Sequence, residues 1–159
     1  MSNNLKGSAE KVQRALEEKG LELEVVEFAE STRTVKDAAS AIGCKVEQIA
    51  KSLIFKGEKS QKPILVIASG PNRVNEKAMH KVIGEKLDRA DANWVSEITG
   101  FSIGGIPPFA HNVAIDTYID EDLFLNSEIW AAAGTPNSVF KLSPKNLLTL
   151  TEGKVVSVK

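Results

Sequence analysis

The sequence is poor in cysteine, and its apolar runs are short. Cys44 is the only cysteine among 159 residues, which excludes an internal disulfide and agrees with a reducing compartment. The longest apolar stretches, such as ILVIA (64–68) and IWAAAG (129–134), fall far short of the roughly 20 residues that a membrane-spanning helix needs. The N-terminal segment is polar and has no apolar core of a secretory signal, so we expect a cytoplasmic protein that does not enter a membrane.

Neither sign of charge is in excess, since 20 Lys and Arg stand against 21 Asp and Glu. This balance excludes a protein that holds nucleic acid through its overall charge, so any such contact must be local. The best candidate patch is the segment 73–89, in which Lys77 and Lys81 lie four residues apart on one predicted helix face. A solvated helix face of mixed charge explains the same segment without a ligand.

Several common types of site are missing from the sequence. There is no nucleophile elbow of the G-x-S-x-G kind, no phosphate-binding loop and no dinucleotide-binding glycine motif. His80, His111 and Cys44 do not have the spacing of metal ligands, so we predict no metal site and no cofactor. Cys44 follows a helix-ending glycine and is interpreted as a small packed residue.

Helical and extended patterns alternate along the chain without a regular βαβ spacing or a repeat. Helices are predicted from Ser8 as N-cap to Lys19, from Thr34 to Gly43, at 76–83 with Asn75 as N-cap, at 93–100, and from Ser143 to about Thr151. Strands are predicted at 21–28, 51–57, 62–69, 86–90, 112–119, 128–134, 138–142 and 154–158. The pattern predicts one α+β domain, residues 1–159, with a mixed sheet.

Lys51 lies within the otherwise apolar run IAKSLIF (49–55). A lysine that snorkels to solvent, or one that protects a strand edge from pairing, explains it structurally. A positive charge at the floor of a pocket, kept for an anionic or carbonyl-bearing ligand, explains it functionally. Spacing alone does not decide between the two.

The loop GGIPPFAH (104–111) combines two glycines with two prolines. Gly104 and Gly105 have N–H groups with no side chain to block a close approach, whereas Pro107 and Pro108 fix the path of the chain. Such a loop can direct N–H groups at a ligand, although a tight turn between strands explains the same residues equally well.

Three blocks carry a resemblance to a known family: QIAKSLIF, GGIPPFAH with its G-x-x-x-P core, and EIWAAAGTPNSVFKLSPKNLLTL. Together, in this order and at this spacing, they resemble the YbaK/EbsC family of prolyl-tRNA synthetase-associated editing domains over nearly the entire chain. The resemblance implies a barrel-like mixed sheet flanked by helices. It also implies a free-standing trans-editing factor that hydrolyses the ester of a mischarged aminoacyl-tRNA, without a metal or a protein nucleophile.

The resemblance further implies roles for single residues. Lys51 and Gly104 match the lysine and the loop glycine that line the family's catalytic pocket. Ser52 matches a hydroxyl position, although a regular strand would point its side chain away from that of Lys51. The remaining substrate-binding candidates are Ser69, Gly70, Gly105, Pro107, Pro108, His111 and Gly134. For Gly134 a strand-end turn, and for His111 a hydrogen bond to its own loop, are the structural alternatives. Ala110 stands where many relatives have glycine.

Three functions remain open at this point. The first is deacylation of a mischarged tRNA, with tRNA(Pro) as the expected acceptor and an aminoacyl-tRNA synthetase as a possible partner. The second is a non-catalytic module that binds tRNA or aminoacyl-adenosine. The third is hydrolysis of small aminoacyl esters. Retention of both Lys51 and the Gly104 loop favours catalysis, while the amino acid removed and the oligomeric state cannot be read from the sequence.

Overall fold

The computed structural model describes Leu5 and residues 7–159. In this part of the chain five α-helices are α1 (Gly7–Glu18), α2 (Val35–Ile42), α3 (Glu76–Ile83), α4 (Ala92–Thr99) and α5 (Pro144–Thr151). Two 3₁₀ helices cover Val46–Gln48 and Glu121–Leu125. The strands are β1 (Val25–Glu27), β2 (Ile49–Gly57), β3 (Pro63–Ser69), β4 (Leu87–Arg89), β5 (Asp116–Asp120), β6 (Ile129–Ala132), β7 (Ser138–Leu142) and β8 (Lys154–Val156).

All eight strands belong to one mixed sheet, in the order β1-β7-β6-β2-β3-β5-β8, with β4 paired to β2 outside this path. The pairs β2–β3, β2–β4, β6–β7 and β1–β7 are antiparallel, whereas β2–β6, β3–β5 and β5–β8 are parallel. The predicted α+β class with a mixed sheet is confirmed. No helix within the described residues is long and apolar enough to cross a membrane.

Inside the sheet, β3 lies between β2 and β5, and its sequence PILVIAS has no polar alternation. Both of its faces are therefore covered: Leu65 and Ile67 join the main core, while Ile64, Val66 and Ala68 join a second cluster on the opposite face. A continuous apolar run is typical of a strand that is buried on both faces. β2 pairs with this buried strand from Ala50 to Lys56 and is held in place by it.

Three helix starts were correctly predicted from their capping residues. The side chains of Thr34, Asn75 and Ser143 accept hydrogen bonds from the third residue of α2, α3 and α5, at 3.0, 3.1 and 3.0 Å. Each cap satisfies an N–H group that the helix itself leaves open. The start predicted for α1 was wrong, because Ser8 lies inside the helix that begins at Gly7.

Several predicted strands are shorter in the structure, and in two of them other groups take the hydrogen bonds of the lost residues. In the predicted strand 21–28 only residues 25–27 pair, because the Gln13 amide group donates to the Leu23 carbonyl (3.1 Å) and accepts from the Val25 N–H (2.7 Å). The predicted strand 112–119 begins only at Asp116. Its first N–H groups, at 112 and 113, bond to the carbonyls of residues 99 and 98 near the end of α4.

Candidate active site

The site begins with a gap in the sheet along β2. On one side β2 pairs with β3 from Ala50 to Lys56. On its other edge it pairs with β6 only at Ile49 and Ala50, and with β4 only from Phe55 onward. Residues 51–54 therefore have no strand partner on this edge among the described residues. An unpaired strand edge presents main-chain donors and acceptors to whatever lies beside it.

The hydrogen bonds at the end of β2 show which residues face the gap. The Gly57 N–H donates to the Lys62 carbonyl on the β3 side, and the Glu58 N–H donates to the Lys86 carbonyl on the β4 side, both at 2.9 Å. Because successive residues of a strand direct their main-chain groups to opposite edges, the even-numbered residues face the gap. Ser52 is the even-numbered residue at its centre. Its N–H and carbonyl groups are thus available to a ligand.

A pocket of about 350 Å³ lies against this open edge. Four segments line it: 32–35, 49–53, the loop residues Ile103, Gly104 and Ile106, and 130–132, with Ala38 and Val139 completing the wall. Its size and its mostly apolar wall are typical of small-molecule sites. Lys51 and Gly104, which are distant in sequence, both line it. Within the described residues no group of three or more His, Cys, Asp or Glu side chains could hold a metal ion.

Lys51 directs its ammonium group to a carbonyl. Its Nζ donates to the Gly70 oxygen at 3.2 Å, and it forms no ion pair with a carboxylate in the described part of the chain. Burial lowers the pKa of Lys51, the charge of Arg73 lowers it further, and the charge of Asp120 raises it. An ammonium has three donors, and the Gly70 carbonyl uses one. The others are available to a ligand.

Ser69 and Gly70 belong to the bend that accepts the hydrogen bond from Lys51, and neither lines the pocket. Ser69 is buried, and its hydroxyl donates to the Glu47 carbonyl at 2.8 Å. A Cβ on Gly70 would lie 2.2 Å from the Val46 carbonyl oxygen, so only glycine fits this bend. Both residues were predicted to bind substrate. In the structure, the Gly70 carbonyl holds the Lys51 ammonium group and Ser69 holds the bend in place.

The two loop glycines differ in how their N–H groups are used. The Gly105 N–H donates to the Ser102 carbonyl at 3.1 Å, and its own carbonyl accepts from the Gly134 N–H at 2.8 Å. The Gly104 N–H has no acceptor among the described residues. Gly104 also has φ +103°, and a Cβ at this position would lie 2.9 Å from the side chain of Arg33. Of the two glycines, only Gly104 therefore has an N–H group without an acceptor among the described residues.

The other loop candidates lie outside this pocket. Pro108 and His111 line a separate, open groove of about 1010 Å³. The His111 Nε2 atom is 2.7 Å from the Pro107 carbonyl, and burial lowers the pKa of this histidine. Gly134 has φ +97° and packs against the Ser8 carbonyl, where a Cβ would come within 2.7 Å. None of these four residues lines the pocket that contains Lys51.

Ser52 lines the pocket together with Lys51, although the two side chains are on opposite faces of a regular strand. The pocket faces the edge of β2, so neighbours on both faces reach it. The Ser52 hydroxyl oxygen is buried and has no hydrogen-bond partner among the described residues. A buried hydroxyl without a partner is uncommon and costs free energy in the empty protein.

Thr32, Arg33 and Trp130 are among the lining residues that were not predicted from the sequence. Thr32 is buried and donates from both its N–H and its hydroxyl to the Pro136 carbonyl, at 2.7 and 3.2 Å, which joins this segment to the β6–β7 turn. Arg33 follows it and covers Gly104. The only local signal was that both precede the predicted cap Thr34, at a helix start where the chain must change direction.

The comparison with known families agrees with this pocket. A sequence model described as the aminoacyl-tRNA editing domain matches residues 29–150, which include every segment that lines the pocket. The chain belongs to the aminoacyl-tRNA editing domain family. The resemblance seen in the three sequence blocks is thereby confirmed.

Three relatives show how far this likeness extends. The uncharacterized protein YwhH of Bacillus subtilis (strain 168) is 37% identical over 134 residues, which are 84% of this chain and 85% of that protein. The crystal structure of a proposed trans-editing enzyme for prolyl-tRNA synthetase is 46% identical, with a TM-score of 0.92 over 98% of this chain and 99% of that one. The proline–tRNA ligase of Thermodesulfovibrio yellowstonii is 29% identical over 54% of this chain, but over only 15% of the ligase.

Proposed function

We propose that this protein is a trans-editing aminoacyl-tRNA deacylase, which hydrolyses the ester of a mischarged tRNA, with tRNA(Pro) as the acceptor. One observation carries the proposal: Lys51 and Gly104 line the same pocket, beside an open edge of β2. These are the two residues that match the catalytic lysine and loop glycine of the family. The likeness to a proposed trans-editing enzyme for prolyl-tRNA synthetase supports the choice of tRNA.

The reaction needs positioning and charge stabilisation more than it needs a protein nucleophile. A water molecule attacks the ester carbonyl carbon, and negative charge develops on the carbonyl oxygen. The bond between this carbon and the ribose oxygen then breaks, the ribose oxygen takes the proton that the water gives up, and the free amino acid leaves. Where a hydroxyl group of the substrate attacks instead, the same bond breaks, and water opens the newly formed ester in a second step. An N–H group that points at the developing charge lowers the barrier. The Gly104 N–H has the required freedom.

Lys51 has a different task in this proposal. Its ammonium group has donors beyond the bond to Gly70, and it forms no ion pair with a described carboxylate. A phosphate or ribose oxygen of the terminal adenosine can complete its coordination. This arrangement holds the ester against the open edge of β2, and holding reacting groups in place is a large part of enzymatic acceleration.

The proposal extends to the surroundings of the protein. A mischarged aminoacyl-tRNA is the proposed substrate, and the synthetase that makes it is a proposed partner. Because charged tRNAs are made and used in the cytoplasm, we propose that the protein acts there. The match to part of a proline–tRNA ligase supports this connection.

The test is a deacylation panel with several amino acids on tRNA(Pro) and on other tRNAs, in which release of free amino acid is measured. Lys51→Ala is compared with Lys56→Ala, a lysine of the same strand whose Nζ lies over the Trp94 ring at 4.8 Å and outside the pocket. We expect release by the wild type and by Lys56→Ala, and loss of release in Lys51→Ala. Equal rates in all three proteins would refute the catalytic role of the pocket.

The same panel separates the two other functions. Binding of charged tRNA without release of amino acid would identify a non-catalytic module. Release from aminoacyl methyl esters at the same kcat/KM as from aminoacyl-tRNA would identify a small-molecule esterase.

A further inference from the structure

We propose that Asp120 is a positioning residue for Lys51: its buried carboxylate fixes the bend whose carbonyl accepts the hydrogen bond from the ammonium group. The inference rests on the proposed function only for its effect on activity. Asp120 lies at the end of β5 and does not line the pocket. It therefore acts through Lys51 and not on the substrate.

Asp120 is a fully buried carboxylate, with 0% of its surface exposed. One oxygen, Oδ2, accepts from the Ser69 N–H at 3.0 Å and from the Asn72 side-chain amide at 2.7 Å. The other, Oδ1, accepts from the Asp122 N–H at 2.9 Å. No Lys or Arg forms an ion pair with it in the described part of the chain. A buried charge without a directly paired cation is costly, so a function for the charge is expected.

The hydrogen bonds of Asp120 end at the bend 69–72, which follows β3. Within the bend the Asn72 N–H donates to the Ser69 carbonyl at 2.9 Å. The Ser69 hydroxyl holds the opposite side through the Glu47 carbonyl, and Gly70 packs against Val46. The bend is thus fixed from two directions. Its Gly70 carbonyl is the group that accepts the hydrogen bond from Lys51, at 3.2 Å.

Two charged groups act on the pKa of Lys51, and only one is negative. Arg73 follows the bend, and its charge disfavours a second cation at Lys51. Asp120, at the end of β5, has the opposite effect and favours the charged form of Lys51. Without Asp120, burial and Arg73 would both act against the ammonium group. Arg33 adds a further positive charge to the wall of the same pocket.

The experiment compares Asp120→Asn with Asp122→Asn. Asp122 is the matched control, because it also accepts from the Asn72 amide (2.8 Å) and pairs with Lys159 (2.9 Å), but its charge does not contribute to the pKa of Lys51. The titration of the Lys51 ammonium is followed by NMR of labelled lysine, with the Lys51 signal identified by its loss in Lys51→Arg. The pH dependence of kcat is measured in parallel, with thermal unfolding as the check on folding.

In Asp120→Asn we expect the Lys51 titration, and the alkaline limb of kcat with it, to move to lower pH by about half a unit or more. We expect kcat near neutral pH to fall about tenfold, because the bend also loses a charged acceptor. Asp122→Asn should change neither quantity. A Lys51 titration that stays in place in Asp120→Asn, or that moves equally in Asp122→Asn, overturns the proposal.

A second variant covers the case in which Asp120→Asn does not fold. Asn72→Ala removes the amide that anchors the Asp120 carboxylate but keeps its charge. We expect kcat to fall severalfold without a downward shift of the Lys51 titration, and an unchanged kcat refutes the positioning role. The NMR titration needs no substrate. A wild type without deacylase activity would therefore refute the proposed function and leave the link between Asp120 and Lys51 to be judged by its own measurement.

Discussion

Two neighbouring strands of this protein, β3 and β2, differ in burial and in pairing. In β3 the residues 64–69 are all buried, and the strand is paired on both sides, with β2 and with β5. In β2 the residues 51–56 are only half-buried, and one edge is open at 51–54. The first strand therefore provides rigidity, and the second provides unpaired polar groups. A site can retain unsatisfied groups only where its support is firm.

The largest effect is expected from Lys51→Ala, which removes the charged group of the open strand. We expect deacylation to fall about 100-fold or more, because Lys51 holds the ester in place and a misplacement of about 1 Å can cost about 100-fold in rate. The midpoint of thermal unfolding should be unchanged or higher than in the wild type. Burial lowers the pKa of Lys51, so its charge does not stabilise the empty protein. A clear drop in the thermal midpoint would mean that Lys51 is structural, like the residues of β3.

The converse substitution is Ile67→Ala in the paired strand. Ile67 is completely buried, so its truncation should lower the free energy of unfolding by about 2–5 kcal/mol. The activity per folded molecule should remain near that of the wild type, because Ile67 does not line the pocket. Urea unfolding and an assay corrected for folded fraction measure the two effects, and Ile67→Val serves as the milder control, with an expected loss of about 0.5–1.5 kcal/mol.

Gly104→Ala tests the loop that faces the open strand. A side chain at φ +103° costs about 1–2 kcal/mol, and its Cβ would displace Arg33. We expect kcat/KM to fall about tenfold, since a cost of 1.4 kcal/mol in placing the N–H group is a factor of ten in rate. Gly84→Ala is the matched control, because it has φ +93° and no atom within 4 Å of its Cβ. It should lose similar stability at unchanged kcat/KM, and equal loss of kcat/KM in both variants would contradict a local effect.

Ser52→Ala sharpens the comparison at the centre of the open edge. The buried hydroxyl of Ser52 has no partner among the described residues, so its removal should not lower the free energy of unfolding and could raise it by up to about 1 kcal/mol. If the substrate supplies the missing partner, kcat/KM falls about threefold to tenfold, the worth of one hydrogen bond. A destabilised variant with full activity would show that the hydroxyl serves the fold.

The smallest effect is the pH dependence of stability that Lys51 causes. Its pKa in the folded protein is below the ordinary value of 10.5, so the unfolded chain binds more protons between the two values. The free energy of unfolding contributed by this residue should therefore rise with pH in that window. Urea unfolding of the wild type and of Lys51→Met across the window gives the difference. A difference that falls with pH would contradict the lowered pKa.

Local signals predicted the parts of the fold that depend on neighbours in sequence. Thr34, Asn75 and Ser143 cap their helices as expected, because a cap and the N–H group that it accepts from are three residues apart. The strand 21–28 was predicted too long, since the side chain of Gln13 took its hydrogen bonds from a distant position. No local pattern contains that contact.

The candidate site divides in the same way. The apolar surroundings of Lys51 and the glycines of the loop were visible in the sequence and carried the family resemblance. The separation of the candidates was not visible. The Gly104 N–H has no acceptor in the described part of the chain while that of Gly105 donates to Ser102, and His111 lines another groove. The path of the folded loop decides this, and residue types alone do not show it.

The sequence by itself determined three of the helix caps and the family, since each depends on residue types at short or fixed spacing. Only the tertiary structure decided that β2 has an open edge, that Lys51 and Gly104 meet beside it, and that Asp120 lies behind the lysine. The physical reason is strand pairing. β6 and β4 pair with opposite ends of β2 and leave residues 51–54 between them without a strand partner in the described part of the chain. The register of a sheet is set by contacts between distant segments.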